Sequence, residues 1–218
     1  MAFKAKFVNG IKTPKGRFIY PHLDKIDDAG QFPTKKFKVS LLIPKEVSIK
    51  DLKAACINCA EETWGKNVDI KTMKWPFRDG DKKTSKETGE ILEGYEGCFY
   101  ITAKSSKKPL CVDRSRERLD NDLIKGGDYG RLGLSAMSYE GTEQVRQPDG
   151  TTVPESYRGV TFLLDSVQHL EEGDSLGGTG GTGGASAVIF DDGEYDEPAV
   201  GSSKGSGDDE DELFGIMG

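Results

Sequence analysis

Along Lys36-Phe37-Lys38-Val39-Ser40-Leu41, polar and apolar residues alternate, which puts Phe37, Val39 and Leu41 on one face of a strand and Lys36, Lys38 and Ser40 on the other. Pro44 stops that strand. After it, Ile49, Leu52, Cys56, Cys59/Ala60 and Trp64 recur at helical spacing behind a Ser48-Ile49-Lys50-Asp51 capping box. With Gly65 as the stop, the pattern predicts a helix over Ser48 to Trp64 with one buried face. Alternation returns at Cys98 to Lys104, with Tyr100, Thr102 and Lys104 opposite Phe99, Ile101 and Ala103. It returns again at Arg131 to Tyr139, where Leu132, Leu134 and Ala136 point inward and Arg131, Gly133, Ser135, Met137 and Tyr139 outward. A turn at Gln147-Pro148-Asp149-Gly150 leads to a last strand from Arg158 to Val167. Five or so short strands, one helix and Gly-rich turns predict a mainly β fold, a small Greek-key barrel.

Charge divides the chain in two. Met1 to Leu170 carries 29 Lys+Arg against 24 Asp+Glu, a net +5. Glu171 to Gly218 carries one Lys against 13 acids, a net −12, together with 13 of the 28 glycines. A mildly basic body joined to an acidic, Gly-rich tail is the asymmetry of nucleic-acid or partner-binding proteins. Gly177 to Gly184 has linker composition, with no strand before it or Lys-Ser/Thr after it to make a phosphate loop. High like charge and low hydrophobicity predict that the tail is disordered. Its acid clusters are each set beside apolar residues, as in Asp208-Asp209-Glu210-Asp211-Glu212-Leu213-Phe214, which suits docking better than solubilising. No run of 18 apolar residues is present and the N-terminus lacks a signal-peptide core, so an intracellular protein without membrane contact is expected.

Candidate chemistry follows from the outward faces. Lys36, Lys38, Tyr100, Lys104, Arg131 and Tyr139 combine cations that neutralise phosphates with rings that stack on unpaired bases. Lys107 and Lys108 follow in a loop, Trp75, Phe77 and Arg78 lie in another, and Gly133 leaves room for a base. A lysine-studded sheet edge that guards against aggregation would show the same alternation. Asp79-Gly80-Asp81 offers paired carboxylates for a Mg²⁺-dependent nuclease, or equally a turn. His22 and His169 have no nucleophile beside them. Cys56-Ile57-Asn58-Cys59, with Cys98 and Cys111, has four thiols for zinc, but the CxxC falls inside the helix and Cys56 on its apolar stripe.

The order of Leu42-Ile43-Pro44-Lys45, the helix after it, Pro76-Phe77-Arg78-Asp79-Gly80-Asp81, Tyr95-Glu96-Gly97, Ala103-Lys104-Ser105, Val112-Asp113-Arg114, Gly126-Gly127-Asp128-Tyr129-Gly130-Arg131 and Leu176-Gly177-Gly178 resembles that of single-stranded DNA-binding proteins of tailed bacteriophages. The resemblance implies an OB-fold, a five-stranded Greek-key barrel, that coats single-stranded DNA in phage replication and recombination without sequence readout or catalysis. Residues 1–170 are then the DNA-binding domain and 171–218 a flexible acidic tail. Lys36, Lys38, Arg78, Lys104, Lys107, Lys108 and Arg131 would hold the backbone, while Tyr100, Tyr139 and Trp75 or Phe77 stack bases. The tail would compete with DNA and offer Asp208 to Phe214 to a DNA polymerase or helicase. No cofactor or metal is expected, a homodimer is compatible with this reading, and the location is the cytoplasm of the infected bacterial host. The alternatives are a Mg-dependent single-strand nuclease and a protein-interaction module acting through its tail.

Overall fold

The computed structural model describes residues 3–28, 33–85, 88–147 and 150–175. The acidic tail motifs, including Asp208 to Phe214, lie outside the described residues. The dominant element is a long antiparallel hairpin of β7 (Tyr129–Arg146) and β8 (Thr152–Glu171). Both strands run well beyond the expected 131–139 and 158–167. Past Tyr139 the hairpin leaves the barrel and continues as an exposed ribbon, so the inward hydrophobic signal fades while pairing persists. Pro148 and Asp149 of the expected turn lie outside the described residues; on either side of them the Gln147 N–H donates to the Thr151 carbonyl at 2.7 Å.

The other strands are β1 (Phe7–Lys12), β2 (Gly16–His22), β3 (Phe37–Pro44), β4 (Phe77–Asp79), β5 (Cys98–Ser105) and β6 (Leu110–Val112). Antiparallel pairing links β7 to β2, β2 to β3 and β3 to β5; β5 then runs parallel to β8, and β8 pairs back to β7. This ring closes a five-stranded barrel with the mixed pairing of an OB-fold, as the resemblance implied. β1, β4 and β6 are added outside it, on β7, β5 and β8. These additions, and β2, were not visible as alternating runs: β4 and β6 are three residues long and β1 and β2 are broken by bulges.

The barrel interior is filled by Phe18, Val39, Leu41, Ile43, Ile101, Ala103, Leu132, Leu134, Ala136 and Phe162, all at most 1% exposed. Each large one stabilises the fold by about 1.5–3 kcal/mol on burial. The single helix, α1 (Lys50–Trp64), caps the barrel with Leu52, Cys56, Cys59 and Ala60. It starts two residues later than the capping-box pattern suggests. Ser48 accepts only the Lys50 N–H, at 3.4 Å, and Ile49 occupies the cap position without a side-chain bond. Burial pushes the Cys56 thiol up to about 12.

The body extends beyond Leu170. The Gly173 N–H reaches Asp128 Oδ1 at 3.3 Å, and Arg17 binds the carbonyls of Gly127 and Asp174. Residues 171–175 are therefore tied to the barrel.

Candidate nucleic-acid interface

The register of β3 on β5 sets Lys38 beside Lys104 and Ser40 beside Thr102, on the side of the sheet away from the core. β4 adds Arg78 next to Tyr100, and β8 places Leu163 beside Lys104. Four cations thus converge: Lys36, Lys38, Arg78 and Lys104. Burial, together with the neighbouring Lys38 and Lys36, holds the Lys104 amine below the usual lysine range. Lys38 is partly neutralised by the buried Asp27, 2.8 Å away. An anion arriving here would relieve the repulsion among the remaining charges.

Beside this cluster, at the root of the ribbon, Tyr139 and Tyr157 meet edge to face, centroids 6.1 Å apart and planes at 85°. Each ring lies over a glycine across the hairpin. A Cβ on Gly159 would sit 2.6 Å from the Tyr139 ring, and one on Gly141 equally close to Tyr157. Lys74 stands 3.7 Å over the Tyr157 ring and pairs with Glu143. Burial and Tyr157 raise the Tyr139 hydroxyl, while Lys74 and Arg78 act against that rise. Tyr157 and Lys74 escaped the sequence reading because Tyr157 falls just before the expected last strand. The Tyr139/Gly159 and Gly141/Tyr157 register across a hairpin was the available signal.

Several expected contacts belong elsewhere. Tyr100 is 9% exposed, set edge-on against Tyr95 in a second small apolar cluster with Ile19 and Leu42, so its faces are covered. Phe77 points the other way from Arg78 on β4 and packs edge-to-face on Phe162 at 5.6 Å. Trp75 is half-buried on the core, and its indole N–H donates to the Ile70 carbonyl. Lys108 pairs with Asp24 at 2.6 Å, while Lys107 is exposed in the same turn. Gly133 leaves no room for a base, because Ser166 Oγ fills the space a Cβ would take. Arg131 lies eight residues from Tyr139, about 26 Å along an extended strand, and does not join this cluster.

Asp79 and Asp81 are engaged in structure. They clasp Lys45 at 2.6 and 2.5 Å, and Asp81 also accepts the Gly97 N–H at 2.7 Å. Asp79 caps the short 3-10 turn Gly80–Lys82 by accepting the Asp81 N–H. The Asp79-Gly80-Asp81 segment thus anchors one end of the loop ahead of β5, and Arg78 alone of the motif faces the cationic cluster. Among the described residues, no three or more His, Cys, Asp or Glu gather as a metal-binding group.

Residues 9–199 match the model of a family described as the ssDNA-binding protein of Enterobacter phage Enc34. Protein p50 of Acyrthosiphon pisum secondary endosymbiont phage 1 is 30% identical over 198 residues, covering 84% of this chain and 92% of that one. Among solved structures, the Enc34 single-stranded DNA-binding protein in complex with ssDNA is similar in fold, with a TM-score of 0.50 and 22% identity over 78% of this chain and 90% of that one. Such proteins bind DNA and are not enzymes. The chain belongs to the Enc34 family of phage single-stranded DNA-binding proteins.

Proposed function

We propose that this protein binds and coats single-stranded DNA without reading its sequence, in the replication and recombination of a phage genome within the cytoplasm of an infected bacterium. The observation that carries this reading is the juxtaposition of Lys36, Arg78 and Lys104, crowded and short of counter-charge, with the half-exposed Tyr139 and Tyr157. Cations that hold phosphates and rings that stack on any base are what sequence-independent binding of a single strand requires. Arg78 and Lys104 come from adjacent strands and the tyrosines from the hairpin, so a strand would cross the sheet there.

The tail has a separate role in this proposal. Its tethered acids compete with DNA for the cationic face, and on displacement Asp208 to Phe214 is offered to a DNA polymerase or helicase. The test is Tyr139→Ala in the full chain, titrated against labelled oligo-dT. Loss of one stacked base costs about 1–3 kcal/mol, roughly 5- to 150-fold in Kd. An unchanged Kd would remove Tyr139 from the interface.

A further inference from the structure

The far end of β7 closes a different concavity. A pocket of about 360 Å³ is lined by Lys12, Lys15, Arg114, Arg116, Arg131 and Gln168, with Leu170 and Glu171 at its rim. Glu171 is its one acid, and it is paired with Lys15. Among the described residues, no carboxylate lies within 4.0 Å of Lys12, Arg114, Arg116 or Arg131. Arg131 Nε is buried with no hydrogen-bond partner. A charged donor removed from water and left unpaired is costly, and an oxyanion in the pocket would satisfy it.

The pocket is also built rather than incidental. Lys12 is paired opposite Gly133 at the edge of β7, next to Arg131. Arg114 and Arg116 are presented by a tight turn closed by Asp113, which accepts the Glu117 N–H at 2.8 Å and the Arg116 N–H at 3.1 Å. Arg116 adopts φ 69, a left-handed conformation that a long side chain rarely takes unless its surroundings impose it. Gln168 on β8 braces the same turn through the Asp113 carbonyl. Between Arg131 and Tyr139, β7 and β8 themselves present Ser135, Asp165 and Ser166 on this side, and the cation nearest to that stretch in register is Lys104 of β5, beside Leu163 opposite Ser135.

We infer that this pocket is a second phosphate site, which takes a phosphodiester of a single strand whose other end lies on the tyrosine face. The inference rests on the function proposed for the tyrosine face. The two sites stand eight residues apart along β7, at Arg131 and Tyr139, so together they set the length of strand one molecule covers. Their separation of about 26 Å corresponds to about eight nucleotides at ~3.4 Å each, and fewer in a stretched strand.

The test compares full-length wild type, the double variant Arg114→Gln/Arg116→Gln and, separately, Arg131→Gln. Each is titrated by anisotropy against oligo-dT of about four and about twenty nucleotides over a series of salt concentrations. The expected result is an unchanged Kd for the short strand. The long strand should bind about 3- to 10-fold more weakly, with a log K against log salt slope shallower by about 0.7 for each phosphate the pocket no longer holds. Unchanged long-strand affinity and slope in both variants would overturn the inference, as would equal weakening at both lengths. Tighter long-strand binding would also overturn it, since the pocket would then hold carboxylates of a protein segment. Wild type that binds neither length would overturn the underlying reading, and this one with it.

Discussion

Single side chains decide which aromatics can meet a base. Tyr139 and Phe77 both looked like stacking residues, yet one ring is half-exposed over a glycine and the other leans on Phe162 inside the barrel. The difference is one of strand parity. Phe77 and Arg78 are adjacent, so when Arg78 faces the cations Phe77 must face the core. Phe77→Leu should therefore lower stability by about 1 kcal/mol through poorer packing. Its Kd for oligo-dT should stay at the wild-type value. Urea unfolding and anisotropy on the same sample separate the two effects, and a weakened Kd at unchanged stability would place Phe77 back in the interface. Alternation exposed the parity of Lys38, Lys104 and Tyr139, but not that Tyr95, from the non-alternating loop just ahead of β5, would fold back to cover Tyr100. Nor could it show Ser166 filling the space at Gly133, because that depends on a bulge between Gly133 and Leu134.

At the scale of elements, the connection from β2 to β3 is held by one buried carboxylate. Burial pushes the Asp27 carboxyl up, but hydrogen bonds from Lys38 and Thr34 outweigh this and bring it down to about 2 from an ordinary 3.8. A carboxylate lowered by folding contributes stability that is fully present above its unfolded value and is lost as pH falls toward the folded one. Asp27 should thus contribute about 2 kcal/mol above pH ~4, declining toward pH ~2. Urea unfolding across this range should show wild type losing that increment while Asp27→Asn, already weaker at neutral pH, loses less. Parallel acid limbs for the two proteins would count against the assignment. The same anchor holds Lys38 beside Lys104, so the acid that stabilises the loop also shapes the cationic cluster. Elements long enough to alternate, β3, β5 and the barrel portions of β7 and β8, were legible in the sequence. The short or bulged strands β1, β2, β4 and β6 were not, since their positions are set by the edges they pair with rather than by their own pattern.

Taken whole, the molecule sets a basic, folded body against an acidic C-terminal stretch, and this division was readable from charge alone. The account requires the body to hold single-stranded DNA electrostatically and by stacking, and the acidic stretch to oppose it. Both interactions weaken with salt. The most direct measurement is anisotropy of labelled oligo-dT titrated with the full-length protein and with a full-length variant neutralised at its end, Asp208→Asn, Asp209→Asn, Glu210→Gln, Asp211→Asn and Glu212→Gln, at low and moderate salt. The account predicts that wild type binds, that the neutralised variant binds more tightly, and that both lose affinity as salt rises. Absence of binding by both proteins at low salt would contradict it and leave a protein-interaction module as the better description.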